Sequence, residues 1–198
     1  MLITKRNNYF RPSFDSLYGL LEMILDFPTC MRGTPMIELG SYAGDSTQLF
    51  YLFFSPVISI DPHSWFMPPH KSVDEVKEQF NNNTVWRGIQ YLNHTSHDVF
   101  EKPELEKLLP RRVCCVYIDA DHCYGSVKRD ILNSYPYICD DGFICGHDYG
   151  LTCPEAVAAK QDGVKQAVDE IFGEPDKLYR DTSWVVQKKP GRIKTLKG

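Results

Sequence analysis

Two segments of the sequence set acids and imidazoles side by side: Asp119-Ala120-Asp121-His122 and Gly146-His147-Asp148-Tyr149. Each closes an apolar run of the kind that forms a buried strand, Val113 to Ile118 in the first case and Gly142 to Cys145 in the second. If the two strands are neighbours in one sheet, three carboxylates and two imidazoles meet at one edge of a cleft. Leaving so many acids together unpaired would be costly, and a bound divalent cation is the simplest remedy. Carboxylates favour hard ions such as Mg²⁺, whereas an imidazole ligand makes Mn²⁺, Fe²⁺ or Zn²⁺ more competitive. The same acids could instead cap helices and line a wet loop.

A third strand-like run, Met36-Ile37-Glu38-Leu39, leads into Gly40-Ser41-Tyr42-Ala43-Gly44-Asp45-Ser46. Glycines at a strand-to-helix turn let the backbone approach a ligand, and Asp45 or Ser46 can cap the following helix, whose free amides favour an anionic group. The Gly-x-x-x-Gly spacing is not the dinucleotide fingerprint, and no phosphate-loop Lys follows it, so a purely structural turn stays open. The next run, Val57 to Ile60, ends in Asp61, about 20 residues beyond the turn, where a carboxylate can accept hydrogen bonds from a ribose. Asp61 also precedes Pro62, which leaves a turn-forming role open as well.

These residues need a scaffold that brings strand ends together. Further strand-like runs are Ile89 to Leu92 and Trp184 to Val186. Helical stripes alternate with the strands: Phe14, Leu17, Leu20, Leu21, Ile24 and Leu25 behind a Ser13 cap; Val127, Ile131, Leu132 and Tyr135; and Val164, Ala167, Val168, Ile171 and Phe172 ahead of Gly173. Alternating strand and helix imply an α/β domain with a parallel sheet, and in such sheets the ligand lies beyond the carboxyl ends of the strands.

Composition agrees with an ordinary soluble domain: 198 residues, 42% hydrophobic, 24% charged, net charge −4. Residues 187–198 carry five basic residues and no acid, leaving 17 basic against 26 acidic in the remainder. The mild net charge argues against extended nucleic-acid binding, and the basic stretch is expected to be a solvated, frayed terminus. The seven cysteines are odd in number, lack zinc-ribbon spacing and sit mostly in apolar runs, as expected of reduced thiols in a cytoplasmic protein. The longest apolar stretch, Leu49 to Ile60, is too short to cross a bilayer, and no signal-peptide pattern opens the chain. Residues 1–190 are expected to form a single domain with an N-terminal helical segment over 1–30, and 191–198 a basic tail.

The segments IELGSYAGDST, ISIDPH, VYIDADHCYGSVKRDI, GFICGHDY and GVKQAVDEIFG, in that order over roughly residues 36–172, resemble the class I S-adenosylmethionine-dependent methyltransferases. The similarity is to the small-molecule O-methyltransferase branch that includes macrocin O-methyltransferase and cephalosporin hydroxylase-like relatives. It implies a Rossmann-like, doubly wound, mostly parallel seven-stranded sheet with helices on both faces. It also implies that Glu38, Gly40, Ser41, Tyr42 and Gly44, with Ser46, surround the methionine part of the cofactor. Asp61 would hold the ribose hydroxyls, Ser96 to Asp98 would lie near the adenine, and Asp119 would border both cofactor and metal. A divalent metal, Mg²⁺ or Mn²⁺, would take Asp119, His147 and Asp148, with Asp121 or His122 as general base. Metal-binding relatives generally carry two acids where this chain has His147-Asp148.

The implied activity is metal-assisted O-methylation of a hydroxyl on a small molecule or sugar, an in-line displacement that needs donor and acceptor aligned. No nucleic-acid or membrane partner is expected. Two rival functions are a non-haem Fe(II) oxygenase built on His122, His147 and one Asp, and a cofactor-binding subunit without catalysis. Trp65, Phe66 and Met67 could form a lid or simply pack on the sheet. The N-terminal helix could cover the cleft or make a homodimer contact. His63, His70, His94 and His97 are left outside the expected site.

Overall fold

The computed structural model describes residues 15–63, 72–85, 88–150 and 163–194. Seven strands form one sheet: β1 (Met36–Leu39), β2 (Val57–Ile60), β3 (Ile89–Leu92), β4 (Val113–Ile118), β5 (Ile138–Gly146), β6 (Lys177–Leu178) and β7 (Trp184–Gln187). Their order across the sheet is β3-β2-β1-β4-β5-β7-β6. The pairings from β3 through β5 are parallel, and β7 runs antiparallel to both β5 and β6. This is the doubly wound, Rossmann-like sheet that the family resemblance implies. The order reverses between β1 and β4, so the crevice at the carboxyl ends of these two strands is where a ligand belongs.

Side-chain alternation along the strands divides the interior into two cores. Ile37, Leu39, Ile58, Ile60, Val116, Ile118 and Val186 join one apolar cluster with α4 (Ser96–Glu101), α6 (Tyr124–Ser134) and α7 (Val164–Phe172). Their strand neighbours Met36, Val57, Cys115, Tyr117 and Val185 join the other, with α1 (Asp15–Asp26) and α2 (Asp45–Tyr51). Both faces of the sheet are therefore covered, which is why β4 is buried at every one of its positions. Two more helices, α3 (Val73–Asn83) and α5 (Pro103–Glu106), complete the set described. Helix α3 is opened by a capping box between Ser72 and Glu75. Among the described residues, no helix is long and apolar enough to cross a membrane.

Several expectations shift in detail. The Ser13 cap and Phe14 lie outside the described residues. The stripe of α1 is rotated from its expected setting: Leu20, Met23, Ile24 and Phe27 are buried, while Leu25 is 53% exposed. Helix α1 is clamped by its polar side instead, through Lys177 and Tyr179 on Asp26, Arg180 on Glu22, and the Leu20 amide on Asp181. The described part of the basic segment makes contacts with the body of the domain. Lys188 donates to the carbonyls of Ile138 and Tyr135, Arg192 reaches Asp176 at 2.9 Å, and the Lys194 amide donates to Ile171. Residues 195–198 lie outside the described residues.

Candidate active site

The turn after β1 is shaped by close approach to β4. Gly40 has φ 82°, and a Cβ there would sit 2.1 Å from the carbonyl oxygen of Asp119, a spacing only glycine tolerates. Backbone hydrogen bonds hold the turn on both sides, from the Asp119 amide to Leu39 on the β4 side and from the Gly40 amide to Ile60 on the β2 side. Tyr42 also takes a left-handed conformation, φ 43°, as does Gly44, φ 81°, which serves as the N-cap of α2. Neither Asp45 nor Ser46 caps that helix: the Ser46 and Thr47 hydroxyls donate to the two oxygens of Glu38, each at 2.5 Å. Glu38 is fully buried, and burial, opposed by the two hydroxyls and reinforced by the charges of Asp119 and Asp61, pushes its carboxyl up to about 7.

Asp61, at the end of β2, faces the same turn. Its Oδ2 accepts from the amides of Ser41 at 2.9 Å and Tyr42 at 2.8 Å, and its Oδ1 accepts from the amide of His63 at 2.7 Å. A carboxylate has about four acceptor positions, so these three amides fix its orientation and leave room for a ligand hydroxyl. His63 is buried and stacks on Tyr91 of β3, which sequence reasoning had not joined to the site. The Asp-Pro-His spacing after a strand was the available signal, but nothing in it tells which way an imidazole turns.

Beyond β4 and β5 the two tetrapeptides meet, as their parallel pairing requires. His122 lies between the carboxylates, with Nε2 3.2 Å from Asp119 Oδ1 and Nδ1 3.3 Å from Asp148 Oδ2. The ligand atoms of Asp119, His122 and Asp148 all fall within 4.8 Å of one another, a grouping suited to a metal ion. His147 meets the other oxygen of Asp148, Nδ1 to Oδ1 at 2.8 Å. Burial lowers the affinity of both imidazoles for a proton, yet their carboxylate neighbours outweigh it. His122 is held above the ordinary imidazole value and His147 is pushed up to about 9.

Asp121 stands apart from that grouping. Its Oδ1 accepts from the Cys123 amide at 3.1 Å and its Oδ2 from the Ser126 hydroxyl at 2.5 Å, tying down the entry to α6. Ser96, expected near the adenine, is the first residue of α4, and its hydroxyl donates to Asp130 at 2.5 Å. Burial pushes the Asp130 carboxyl up to about 6. The lid candidates Trp65, Phe66 and Met67, His70 and Cys153 lie outside the described residues.

The sequence matches a family model described as a methyltransferase domain over residues 37–149, a span that runs from β1 through the whole of this site. The chain belongs to that methyltransferase family. No curated protein matches it in sequence. Among solved structures, it is similar to the O-methyltransferase NovP, with 17% identity and a TM-score of 0.62 over 89% of this chain and 80% of that one. CalS11, described as a TDP-rhamnose 3'-O-methyltransferase of calicheamicin biosynthesis, is 17% identical, with a TM-score of 0.56 over 87% and 77%. A protein of Clostridium thermocellum named as an rRNA-methylase is 9% identical, with a TM-score of 0.59 over 90% and 100%. At these identities the likeness is one of fold.

S-adenosylmethionine is the methyl donor expected of such a methyltransferase, and the residues fit it. Asp61 offers a fixed acceptor beside a glycine turn at the switch point of the sheet. The Ser41 hydroxyl is buried there without a hydrogen-bond partner among the described residues, as a group awaiting a ligand would be. The same holds for His147 Nε2 on the other side of the crevice.

Proposed function

We propose that the protein is an S-adenosylmethionine-dependent O-methyltransferase acting on a hydroxyl of a small molecule or sugar, with help from a divalent cation. The observation that carries this is the contact of Gly40 with Asp119, because it sets the cofactor turn directly against the acid-imidazole group. S-adenosylmethionine, when bound, supplies an electrophilic methyl on a sulfonium. The chain's part is to hold that donor and prepare the acceptor. Asp61 and the Ser41 hydroxyl fix the donor at the turn after β1, and the acids along the crevice suit a ligand bearing positive charge.

A hydroxyl is a poor nucleophile until its proton is removed, and the residues opposite the turn can take it. His122, in its neutral form, accepts the proton, and Asp119 and Asp148 stabilise the imidazolium that results. Asp121 supports this by fixing the loop that carries His122. A divalent cation, when bound, would be held by Asp119 and Asp148 with the imidazole of His147, leaving His122 to take the proton, and would lower the pKa of the acceptor hydroxyl. An imidazole donor in that set favours Mn²⁺ or Zn²⁺ over Mg²⁺. NovP and CalS11, both named as O-methyltransferases, support the choice of oxygen as acceptor.

Calorimetry with S-adenosylhomocysteine, followed by transfer of labelled methyl to a panel of hydroxylated small molecules and sugars with and without chelator, tests the proposal. Absence of binding by both S-adenosylmethionine and S-adenosylhomocysteine would overturn it. Binding without transfer to any acceptor would favour a non-catalytic subunit.

A further inference from the structure

His63 is a buried polar side chain that the chemistry above does not use. It follows Asp61-Pro62 directly, takes a left-handed backbone conformation with φ 45°, and is 1% exposed. A β-branched or bulky residue would resist that conformation, and even histidine adopts it only where the surroundings hold it. What holds it is a closed set of contacts. The His63 amide donates to Asp61 Oδ1 at 2.7 Å, and Nε2 lies 2.7 Å from the carbonyl oxygen of Tyr42. A carbonyl only accepts, so Nε2 carries a proton and donates it. Nδ1 lies 2.7 Å from the Tyr91 hydroxyl, which is also 2.7 Å from the Asp61 carbonyl oxygen. The ring stacks on Tyr91 at 5.1 Å and meets Phe80 of α3 edge-on at 5.1 Å.

The Tyr42 residue is therefore gripped at both ends: its amide by the Asp61 carboxylate, its carbonyl by the His63 ring. Tyr42 is itself left-handed, a conformation that a non-glycine residue keeps only under such constraint. Asp61 is likewise gripped at its side chain by the His63 amide and at its carbonyl by Tyr91. Two structures that meet a ligand, the turn after β1 and the acid after β2, thus share one buried clamp whose hinge piece is an imidazole.

We infer that His63 is a positioning residue for the cofactor site, acting through Tyr42 and Asp61 without touching the ligand, and that Tyr91 sets its ring. The inference rests on the proposal that this turn and Asp61 hold S-adenosylmethionine. A residue that merely fills the core would lower the melting temperature when changed. It would leave the affinity of the folded protein unaltered.

The test is calorimetric titration of S-adenosylhomocysteine, well below each melting temperature, into the wild type and into His63→Ala, His63→Gln and Tyr91→Phe. His63→Ala should weaken binding about tenfold, the effect of one buried hydrogen bond lost from the frame. His63→Gln, whose amide can still donate to Tyr42, should recover part of the loss. Tyr91→Phe keeps the stacked ring and removes only the hydroxyl, so it is informative even if His63→Ala fails to fold. It should weaken binding about threefold, and should add less than that in a double variant with His63→Ala, where only its contact with the Asp61 carbonyl is left to remove. Folded Tyr91→Phe and His63→Gln proteins that bind like wild type would overturn the inference alone. A wild type that binds no S-adenosylhomocysteine would overturn the proposed function, and this inference with it.

Discussion

The carbonyl oxygen of Asp119 occupies the space where a side chain would begin at Gly40, 2.1 Å from the position of its Cβ. Gly40→Ala must therefore separate β1 from β4 at their carboxyl ends, and must also bear a left-handed φ with a Cβ present. It should lower stability by about 2 kcal/mol or more and abolish S-adenosylhomocysteine binding. Urea denaturation and calorimetry check both. An alanine variant as stable as wild type would mean that the two strand ends are not pressed together.

Glu38 makes stability fall with rising pH across a defined window. Its carboxyl titrates near 7 in the folded protein against an ordinary value of 4.5, so the folded state binds the proton more tightly than the unfolded state does. Its contribution is fully present below about 4.5, declines from there to about 7, and is gone above. The span corresponds to roughly 3 kcal/mol. Glu38→Gln, which stays uncharged, should flatten this part of the profile. Denaturant midpoints from pH 5 to 8 for both proteins provide the measurement, and superimposable profiles would refute the assignment.

One acid from each tetrapeptide, Asp121 and Asp148, should separate in kinetics. Asp121 ties down the start of α6, so Asp121→Ala should cost about 1 kcal/mol of stability with a smaller loss of turnover. Asp148 faces His122 and His147, so Asp148→Asn should reduce turnover about 100-fold while S-adenosylhomocysteine affinity stays within about threefold. The reverse pattern would move the base from His122 to Asp121.

Metal preference is open to direct titration. After dialysis against a chelator, Mn²⁺ should bind more tightly than Mg²⁺, and His147→Ala should narrow the difference, because an imidazole donor is what separates the two ions. Calorimetric competition reads this without any need for a methyl acceptor. Equal affinities in the wild type would remove the imidazoles from the coordination sphere.

Much of the architecture is legible in the sequence because it follows from local pattern. A continuously apolar β4 can only be a strand covered on both sides, and the spacing in Val164 to Phe172 buries each residue it marks. The pairing of β4 with β5 then forces the two tetrapeptides together. What pattern does not carry is direction at strand ends, where the chain leaves periodic structure. Whether Ser46 caps α2 or reaches back to Glu38 depends on the φ of Gly40, Tyr42 and Gly44, and whether Asp121 joins Asp119 or turns to Ser126 depends on the course of the loop into α6. The rotation of α1 has a similar origin. Its buried side is chosen by contacts with Asp181 and Lys177, far along the chain, and not by its own apolar residues alone.

The antiparallel strand β7 has a bearing on how the molecule is made. It lies along β5 with Trp184 opposite Gly146, immediately before His147 and Asp148. Until residues 184–187 emerge from the ribosome, β5 presents an open edge beside an unfilled space for that indole. During synthesis the turn at Gly40 and the acid at Asp61 can therefore assemble early, while the half of the crevice bearing His147 and Asp148 waits for nearly the last of the described residues. A nascent chain stalled short of Trp184 should have its donor-binding half in place and lack the half that activates the acceptor.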